Sequence, residues 1–374
     1  MLYILFKCRM GNSMVEENLG ILTNINVEGF KSIKKMDLPL TPLNIIVGPN
    51  GVGKSNFIGV FKLLYNIVNQ NLQSYIAQSG GAEKFLHFGS KNTNEILINL
   101  AFKCNTYQAN LIPSLPDTLI FKNEKVCYYN DCTDLTYNGP ETFLYMQNMY
   151  RIKYTREYLH GFRVYHFHDT SDSALIKKTS SINNQMYLQA KGENLAAMLY
   201  RYKNNYNQDY IKIVKTIQLV APFFQDFILE PDDNKNIMLR WKQQGSDTIF
   251  DANDLSDGTL RFIALTTLLL QPLNFIPSTV LIDEPELGLH PYALKILAEL
   301  IKSVSRNGKQ IIVTSQSVTF INEFNYDDIV IVDRKKNEST FRRLEEQEVK
   351  IWMDEFSLGD IWERNIIGGT PNDF

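Results

Sequence analysis

The sequence predicts an α/β fold with a mostly parallel, doubly wound sheet, an inserted antiparallel β subdomain and a helical subdomain. Three observations support this prediction. Strands and helices alternate in the last third of the chain, and a glycine-rich turn links an early strand to a helix. Between these regions, strand-like segments follow one another closely. No apolar heptad is sustained over three repeats, so a long coiled coil is not expected.

The 374 residues are enough for two domains, or for one large domain with insertions. We expect an N-terminal lobe at 22–82 and a β-rich insertion at 83–168. A helical and mixed subdomain at 169–250 and a C-terminal lobe at 251–374 then follow.

The N-terminal lobe starts with an alternating apolar strand over 22–33, and the β-branched run at 43–47 predicts a buried strand. Apolar residues at steps of three and four predict a helix over 54–69. The polar stretch 70–82 ends in Ser-Gly-Gly, which is typical of a loop.

Strand patterns dominate the β-rich insertion, and residues 190–226 then favour helices. The expected strands of the insertion include 95–102, 118–123, 125–130 and 162–168.

The last third predicts helices at 258–271 and 291–306 and strands at 278–283, 309–315 and 328–333. This alternation is the basis for the parallel sheet.

Composition is that of an ordinary globular protein, with 44% hydrophobic residues, 21% charged residues and a formal net charge of −3. This balance provides no global basic field for nucleic acid or membranes. No apolar run reaches 18 residues, and the apolar start lacks a basic leader, so we expect a cytoplasmic protein without a membrane partner. Cys127 and Cys132 have no matching second pair, which favours structural or incidental thiols over a metal site.

The segment Gly48–Ser55 (GPNGVGKS) matches the complete phosphate-binding loop pattern between a strand and a helix. Its glycines let main-chain N–H groups surround phosphates, and the helix directs its positive end toward them. We expect Lys54 to reach the β- and γ-phosphates of ATP and Ser55 to bind Mg²⁺. The residues predicted to contact nucleotide here are Asn50, Gly51, Val52, Gly53, Lys54, Ser55 and Asn56.

The apolar segment 280–282 ends in Asp283 and Glu284. Adjacent carboxylates also begin many helices, but the complete phosphate loop upstream favours a catalytic role. We predict that Asp283 holds Mg²⁺, and that Glu284 orients and deprotonates the attacking water.

Ser256 and Gly258 start an apolar helix, where a hydroxyl and free N–H groups can bind an anion. Helix caps of this kind are common. Its place between the phosphate loop and the Asp283–Glu284 pair gives the motif its weight, because this is the order of motifs in ABC-type ATPases.

The chain from about 22 to 371 resembles the RecF/SMC-like ABC ATPases, especially small bacterial predicted ATPases related to the ATPase part of overcoming-lysogenization-defect nucleases. The stretches that carry the resemblance are VEGFKSI, GPNGVGKS, FGSKNT (88–93), LSDGTLRF (255–262), LIDEPELGLHP (281–291) and VTSQS (313–317). The resemblance implies a head-to-tail homodimer in which Ser256 and Gly258 of one subunit touch the γ-phosphate held by the other. It also implies nucleotide contacts from Lys31 and Ser32.

Three features depart from the family pattern. The signature reads LSDGT, which keeps the serine and the second glycine, and Gln316 stands in place of the switch histidine. We expect Gln316 to be catalytic, because its amide can hydrogen-bond the γ-phosphate or water, but it cannot carry a proton's charge, which favours slow hydrolysis. A Q-loop glutamine is not evident, so His168 or Asp169 either takes that place or has no role. His290 is either a helix-terminal residue or a contact to the partner site.

By resemblance, the ATPase would sense or clamp DNA and regulate a separately encoded nuclease or toxin, in anti-phage defence or DNA repair. The alternative is an ATP-dependent protein scaffold without DNA. A transporter ATPase is disfavoured by the FKSI strand and the β insertion. The chain ends before a TOPRIM nuclease would fit, so we expect no nuclease of its own.

Two basic groups are the candidates for DNA contact, although such groups are usually just solvated surface. The aromatic residues of the tail would either pack on the core or dock the effector. The basic candidates are Arg151, Lys153 and Arg156, and Arg334, Lys335 and Lys336; the tail residues are Trp352, Phe356 and Trp362.

Overall fold

The computed structural model describes residues 20–146 and 149–369, so the apolar start of the chain lies outside the described residues. The strands are β1 (Leu22–Phe30), β2 (Ile33–Pro39), β3 (Leu43–Val47), β4 (Ile96–Phe102), β5 (Asn105–Ser114), β6 (Thr118–Tyr128), β7 (Asp131–Gly139), β8 (Phe162–Tyr165), β9 (Ser180–Ser181), β10 (Phe224–Ile228), β11 (Asn236–Ile237), β12 (Arg240–Gln243), β13 (Ile249–Asp251), β14 (Thr279–Asp283), β15 (Gln310–Ser315), β16 (Ile329–Lys335) and β17 (Glu338–Arg343). The α-helices are α1 (Lys54–Val68), α2 (Leu72–Gln78), α3 (Tyr150–His160), α4 (Leu195–Asn205), α5 (Asn207–Val220), α6 (Asp257–Leu270), α7 (Pro291–Arg306), α8 (Val318–Ile321), α9 (Glu346–Val349) and α10 (Leu358–Glu363).

A six-stranded sheet in the order β17-β16-β3-β15-β14-β8 carries the phosphate loop and the acidic pair. All neighbouring strands in it run parallel except the edge pair β16–β17. The strands β3, β14 and β15 therefore end at one edge, where ligands bind in open α/β sheets. The predicted mostly parallel α/β fold is confirmed.

A second six-stranded sheet is antiparallel, in the order β2-β1-β4-β5-β6-β7. The strands expected in the insertion thus continue a sheet that β1 and β2 of the N-terminal lobe begin. The segment 162–168, which the sequence groups with these strands, contributes β8 to the parallel sheet instead, beside β14.

Helix α1 lies between the two sheets, and its apolar residues pack against both of them. Phe57 and Phe61 are fully buried in one core with Ile46 of the parallel sheet and Val27 of the antiparallel sheet. Ile45, one residue earlier on β3, points to the opposite face and joins a second core with helices α4 to α7. Both faces of the parallel sheet are covered, which explains its continuous apolar strands.

The loop prediction for 70–82 is wrong, because this stretch forms helix α2. The carboxylate of Glu141 accepts hydrogen bonds from the main-chain N–H groups of Leu72 and Gln73, each at 3.0 Å. The first N–H groups of a helix have no partner within the helix, and here a residue far along the chain accepts from them. A second helix, α3, interrupts the predicted run of strands.

Cys127 and Cys132 face each other across the β6–β7 hairpin and form a disulfide. Within the described residues, no group of three or more histidine, cysteine or acidic side chains is placed to hold a metal ion. No helix in 20–146 or 149–369 combines the length and apolarity that crossing a bilayer requires.

Candidate functional site

The phosphate loop follows β3 and turns into α1 at Lys54. Gly53 has a φ of 119°, and a Cβ at this position would collide with the hydroxyl of Ser339. A larger residue is therefore excluded by both backbone conformation and space. The Ser339 hydroxyl, on β17, donates to the carbonyl of Val52, and this hydrogen bond holds the loop in place.

Lys54 turns its ammonium back into the loop. Its Nζ donates to the carbonyl oxygens of Gly48 at 2.5 Å and Pro49 at 3.0 Å, and lies 3.8 Å from Glu284 Oε1. The side chain is only 5% exposed, and this burial lowers its pKa, although the nearby carboxylates oppose the shift. The structure thus brings together the phosphate loop and the acidic pair.

Asp283 is the last residue of β14, and each of its two carboxylate oxygens contacts another side chain. Thr314 Oγ1 donates to Oδ1 at 2.6 Å, and His166 Nδ1 lies 3.3 Å from Oδ2. Burial alone would raise the pKa of Asp283, but the hydrogen bonds from His166 and Thr314 outweigh it and lower the pKa. An ionised carboxylate here, with the exposed hydroxyl of Ser55, is an oxygen donor set that fits Mg²⁺.

Two histidines reach Asp283 from the segment after β8. His168 Nε2 donates to the Asp283 carbonyl oxygen at 2.7 Å, whereas Asp169 is exposed and accepts from Ser171 Oγ at 2.7 Å. Of the two Q-loop candidates, His168 is therefore the one at the acidic pair. Sequence reasoning missed His166, although the alternation of His166 and His168 at a strand end was an available signal.

Glu284 adopts a left-handed backbone conformation, with a φ of 40°. Its main-chain N–H donates to the Thr314 carbonyl oxygen at 3.1 Å, and this contact to β15 holds the turn. A non-glycine residue in this conformation costs free energy and is often found at functional sites. The turn directs the Glu284 carboxylate toward Lys54.

Glu286 is a buried carboxylate that sequence reasoning did not single out. Its Oε1 accepts from Ser315 Oγ at 2.7 Å and from the Gln316 main-chain N–H at 2.9 Å. The loop that carries Gln316 is thereby tied to the segment after Glu284. Burial raises the pKa of Glu286, since the ionised form loses hydration.

We expect Glu286→Gln to remove a pH dependence of stability. Because the folded-state pKa is raised, the contribution of Glu286 is full below its ordinary value of 4.5 and is lost as pH rises through the folded value. The Tm of wild type minus that of the variant should therefore decrease as pH rises from 4.5. Thermal unfolding at a series of pH values measures it.

Glu286→Ala is the matched comparison, because it removes the acceptor altogether. It should lower stability at every pH by about 1–3 kcal/mol, the cost of unpaired buried donors. A difference between wild type and Glu286→Gln that stays constant with pH would contradict the assignment.

The predicted nucleotide contacts Ser32 and Asn56 lie beside the phosphate loop. Asn56 Nδ2 donates to Ser32 Oγ at 2.6 Å, and Ser32 Oγ also lies 2.6 Å from Ser339 Oγ. Lys31 directs its Nζ over the Phe85 ring at 5.2 Å, and burial lowers its pKa. The nucleotide-contact roles of these residues remain predictions.

Ser256 is the exposed N-cap of α6, and its Oγ accepts from the Thr259 main-chain N–H at 3.2 Å. Gly258 lies against the carbonyl oxygen of Gly288, where a Cβ would collide. His290 caps α7, since its Nδ1 accepts from the Tyr292 N–H at 3.2 Å. His290 therefore has the helix-terminal position that was one of its two predicted alternatives.

Most of the basic candidates for DNA contact already have partners. Arg334 Nη1 donates to the Gly51 carbonyl oxygen at 3.0 Å, so it contacts the phosphate loop. Arg151 pairs with Asp131, and Arg156 lies 4.8 Å from the Tyr145 ring. The remaining candidates are Lys153, which lies 3.9 Å from Glu157, and the exposed Lys335 and Lys336.

The tail packs on the core through one of its two tryptophans. Trp362 is buried, and its Nε1 donates to the Gly369 carbonyl oxygen at 2.9 Å. Phe356 is half-buried under the Arg364 guanidinium, whereas Trp352 is 39% exposed. Of the three aromatic residues of the tail, Trp362 and Phe356 therefore pack on the core.

Two family descriptions match this chain. An AAA domain described as a putative AbiEii toxin of a Type IV TA system matches residues 157–322, and an AAA ATPase domain matches residues 21–187. The OLD nuclease of Thermus scotoductus is 22% identical over 368 residues, which covers 91% of this chain and 68% of the nuclease.

Solved structures of SMC heads share the fold. An SMC head bound to the C-winged helix domain of ScpA aligns with a TM-score of 0.54 and 16% identity, covering 88% of this chain and 99% of that chain. An SMC head with an extended coiled coil, bound to the C-terminal domain of ScpA derived from Pyrococcus furiosus, aligns with a TM-score of 0.52 and 15% identity. It covers 89% of this chain and 98% of the other.

The chain thus has the fold of SMC heads together with an assembled phosphate-loop site, and it is similar to the SMC/RecF-like P-loop ATPases. Along most of its length it is also similar to an OLD nuclease.

Proposed function

We propose that this protein binds Mg²⁺–ATP and hydrolyses it to ADP and phosphate. The observation that carries the proposal is the approach of Lys54 Nζ to within 3.8 Å of Glu284 Oε1, with Asp283 beside them. A cation for phosphates and a carboxylate for water thus lie in one partly buried site. Charged groups in such surroundings interact more strongly than in water.

Each residue of the site has a distinct task in this reaction. Lys54 would leave the Gly48 and Pro49 carbonyls to neutralise the β- and γ-phosphates. Glu284 would orient a water for in-line attack on the γ-phosphorus and accept its proton. Thr314 serves both carboxylates, since its hydroxyl bonds Asp283 and its carbonyl oxygen fixes the Glu284 N–H.

Ser55 and Asp283 would hold Mg²⁺. When bound, the ion would supply positive charge that offsets the negative charge of the transferred phosphoryl group. His166 would keep Asp283 ionised and oriented through its contact to Oδ2.

We further propose that ATP joins two copies of this chain head to tail. The support is the exposed position of Ser256 at the start of α6, where it is the N-cap residue. A helix start of this kind favours anions. Ser256 and Gly258 of one copy would contact the γ-phosphate bound by the other copy.

The dimer would sense or clamp DNA and regulate a separate effector, a nuclease or toxin, in defence or repair. The relationship to an OLD nuclease supports this setting. The alternative is an ATP-dependent protein scaffold, and the pairing of Arg151 and Arg334 with protein groups favours it, because fewer cations remain for phosphates.

DNA binding separates these two functions. Lys335→Glu/Lys336→Glu reverses two exposed charges that follow Arg334 in the chain, and Lys212→Glu/Lys215→Glu on α5 is the matched control. If DNA is bound there, the first variant should weaken binding and lower the salt slope by about 1 per lost phosphate contact. Measurements with ATP at several salt concentrations test this. No salt-sensitive DNA binding by the ATP-bound wild type would favour the scaffold.

A further inference from the structure

Arg261, in the second turn of α6, connects three segments. Its Nε donates to the Phe167 carbonyl oxygen at 3.1 Å, and its Nη2 donates to the carbonyl of His168 at 2.8 Å and the hydroxyl of Thr170 at 3.2 Å. Its Nη1 donates to the Leu287 carbonyl oxygen at 3.0 Å. One guanidinium thus holds the segments after β8 and after β14.

Both segments are connected to the acidic pair. His168, whose carbonyl accepts from Arg261, donates through Nε2 to the Asp283 carbonyl oxygen at 2.7 Å. Leu287 is three residues beyond Glu284. A displacement of Arg261 would therefore reach Asp283 through His168, and Glu284 through the turn that ends at Leu287.

The start of α6 is attached to the same region by close packing. Gly258 touches the Gly288 carbonyl oxygen with no room for a Cβ, and Gly288 directly follows Leu287. Ser256 caps this helix, and Arg261 extends from its second turn, so the two residues belong to one rigid element. A shift at Ser256 would thus be transmitted along α6 to Arg261.

We propose that Arg261 is a positioning residue that couples the Ser256–Gly258 surface to the Asp283–Glu284 site of the same chain. The proposal rests on the proposed function, in which a second copy presents nucleotide to that surface. Occupation of the partner's site would then align the chain's own catalytic carboxylates.

Lysine cannot replace this arginine, because one ammonium on a flexible stem does not reproduce a planar fork that reaches three carbonyls. Arg261→Lys keeps the charge and is therefore the variant of choice. Arg240→Lys on β12, at the Glu230 carboxylate, is the matched control. We expect Arg261→Lys to lower kcat by about 10–100-fold, as for other residues that orient a metal site. ATP affinity should stay at the wild-type value, and the variant should remain folded at the assay temperature although the lost hydrogen bonds lower its Tm.

Mixed dimers test the direction of the coupling. Each mixture contains an excess of a Glu284→Gln chain, so that turnover comes from the site of the other chain. In the first mixture, Arg261→Lys is in the chain with the intact Glu284; in the second, it is in the Glu284→Gln chain. Coupling within the chain predicts that only the first mixture loses turnover.

Equal turnover in the two mixtures would overturn the proposal. So would an Arg261→Lys variant with wild-type kcat, or one in which ATP affinity falls by the same factor as kcat. The proposed function is tested separately by the Glu284→Gln chain alone. If ATP does not dimerise that chain, the dimer hypothesis fails whatever Arg261 does.

Discussion

Glu284→Gln should stop ATP turnover and leave ATP binding intact. The amide keeps the size of the side chain, and the left-handed turn at this position is held by main-chain contacts to Thr314. It cannot accept a proton from the attacking water, so kcat should fall by about 10²–10⁴-fold, the usual contribution of a general base. Phosphate release and the binding of a fluorescent ATP analogue measure the two properties.

The same variant should accumulate as an ATP-bound dimer, because hydrolysis would be the step that separates the subunits. Size-exclusion chromatography with light scattering detects this, with and without ATP. Glu230→Gln, at an exposed carboxylate, is the control and should behave as wild type. Wild-type turnover in Glu284→Gln would show that Glu284 is not the general base.

Lys54→Ala should weaken ATP binding, and not only slow the chemical step. Its ammonium is the cation of the phosphate loop, and hydrogen bonds to charged groups each contribute about 1.5–3 kcal/mol. ATP affinity should therefore fall at least about tenfold. Isothermal titration calorimetry measures the Kd, and Lys302→Ala on α7 is the matched control.

Folding is the necessary check on this variant. Burial lowers the pKa of Lys54, which means that the fold disfavours its charged form. Removing the charge should therefore cost little stability in the absence of nucleotide, and the Tm of Lys54→Ala should remain close to that of wild type. Unchanged ATP affinity in a folded Lys54→Ala would exclude the proposed role.

The sequence by itself determined the elements that local patterns encode. The run 43–47, the glycines of the phosphate loop and the helix after it are consecutive, so strand, turn and helix follow from neighbouring residues alone. The apolar strand that ends at Asp283 is local in the same way. The order of these motifs then predicted the class of protein.

Only the tertiary structure decided which distant residues support these motifs. Thr314 and His166 meet Asp283, and Ser339 reaches the phosphate loop, through strand pairings that no local pattern specifies. Helix α2 forms where composition predicts a loop, because Glu141 satisfies its first N–H groups. Hydrogen-bond partners far apart in sequence become neighbours only when the sheets assemble, and this is why the chain's supporting contacts could not be predicted from its motifs.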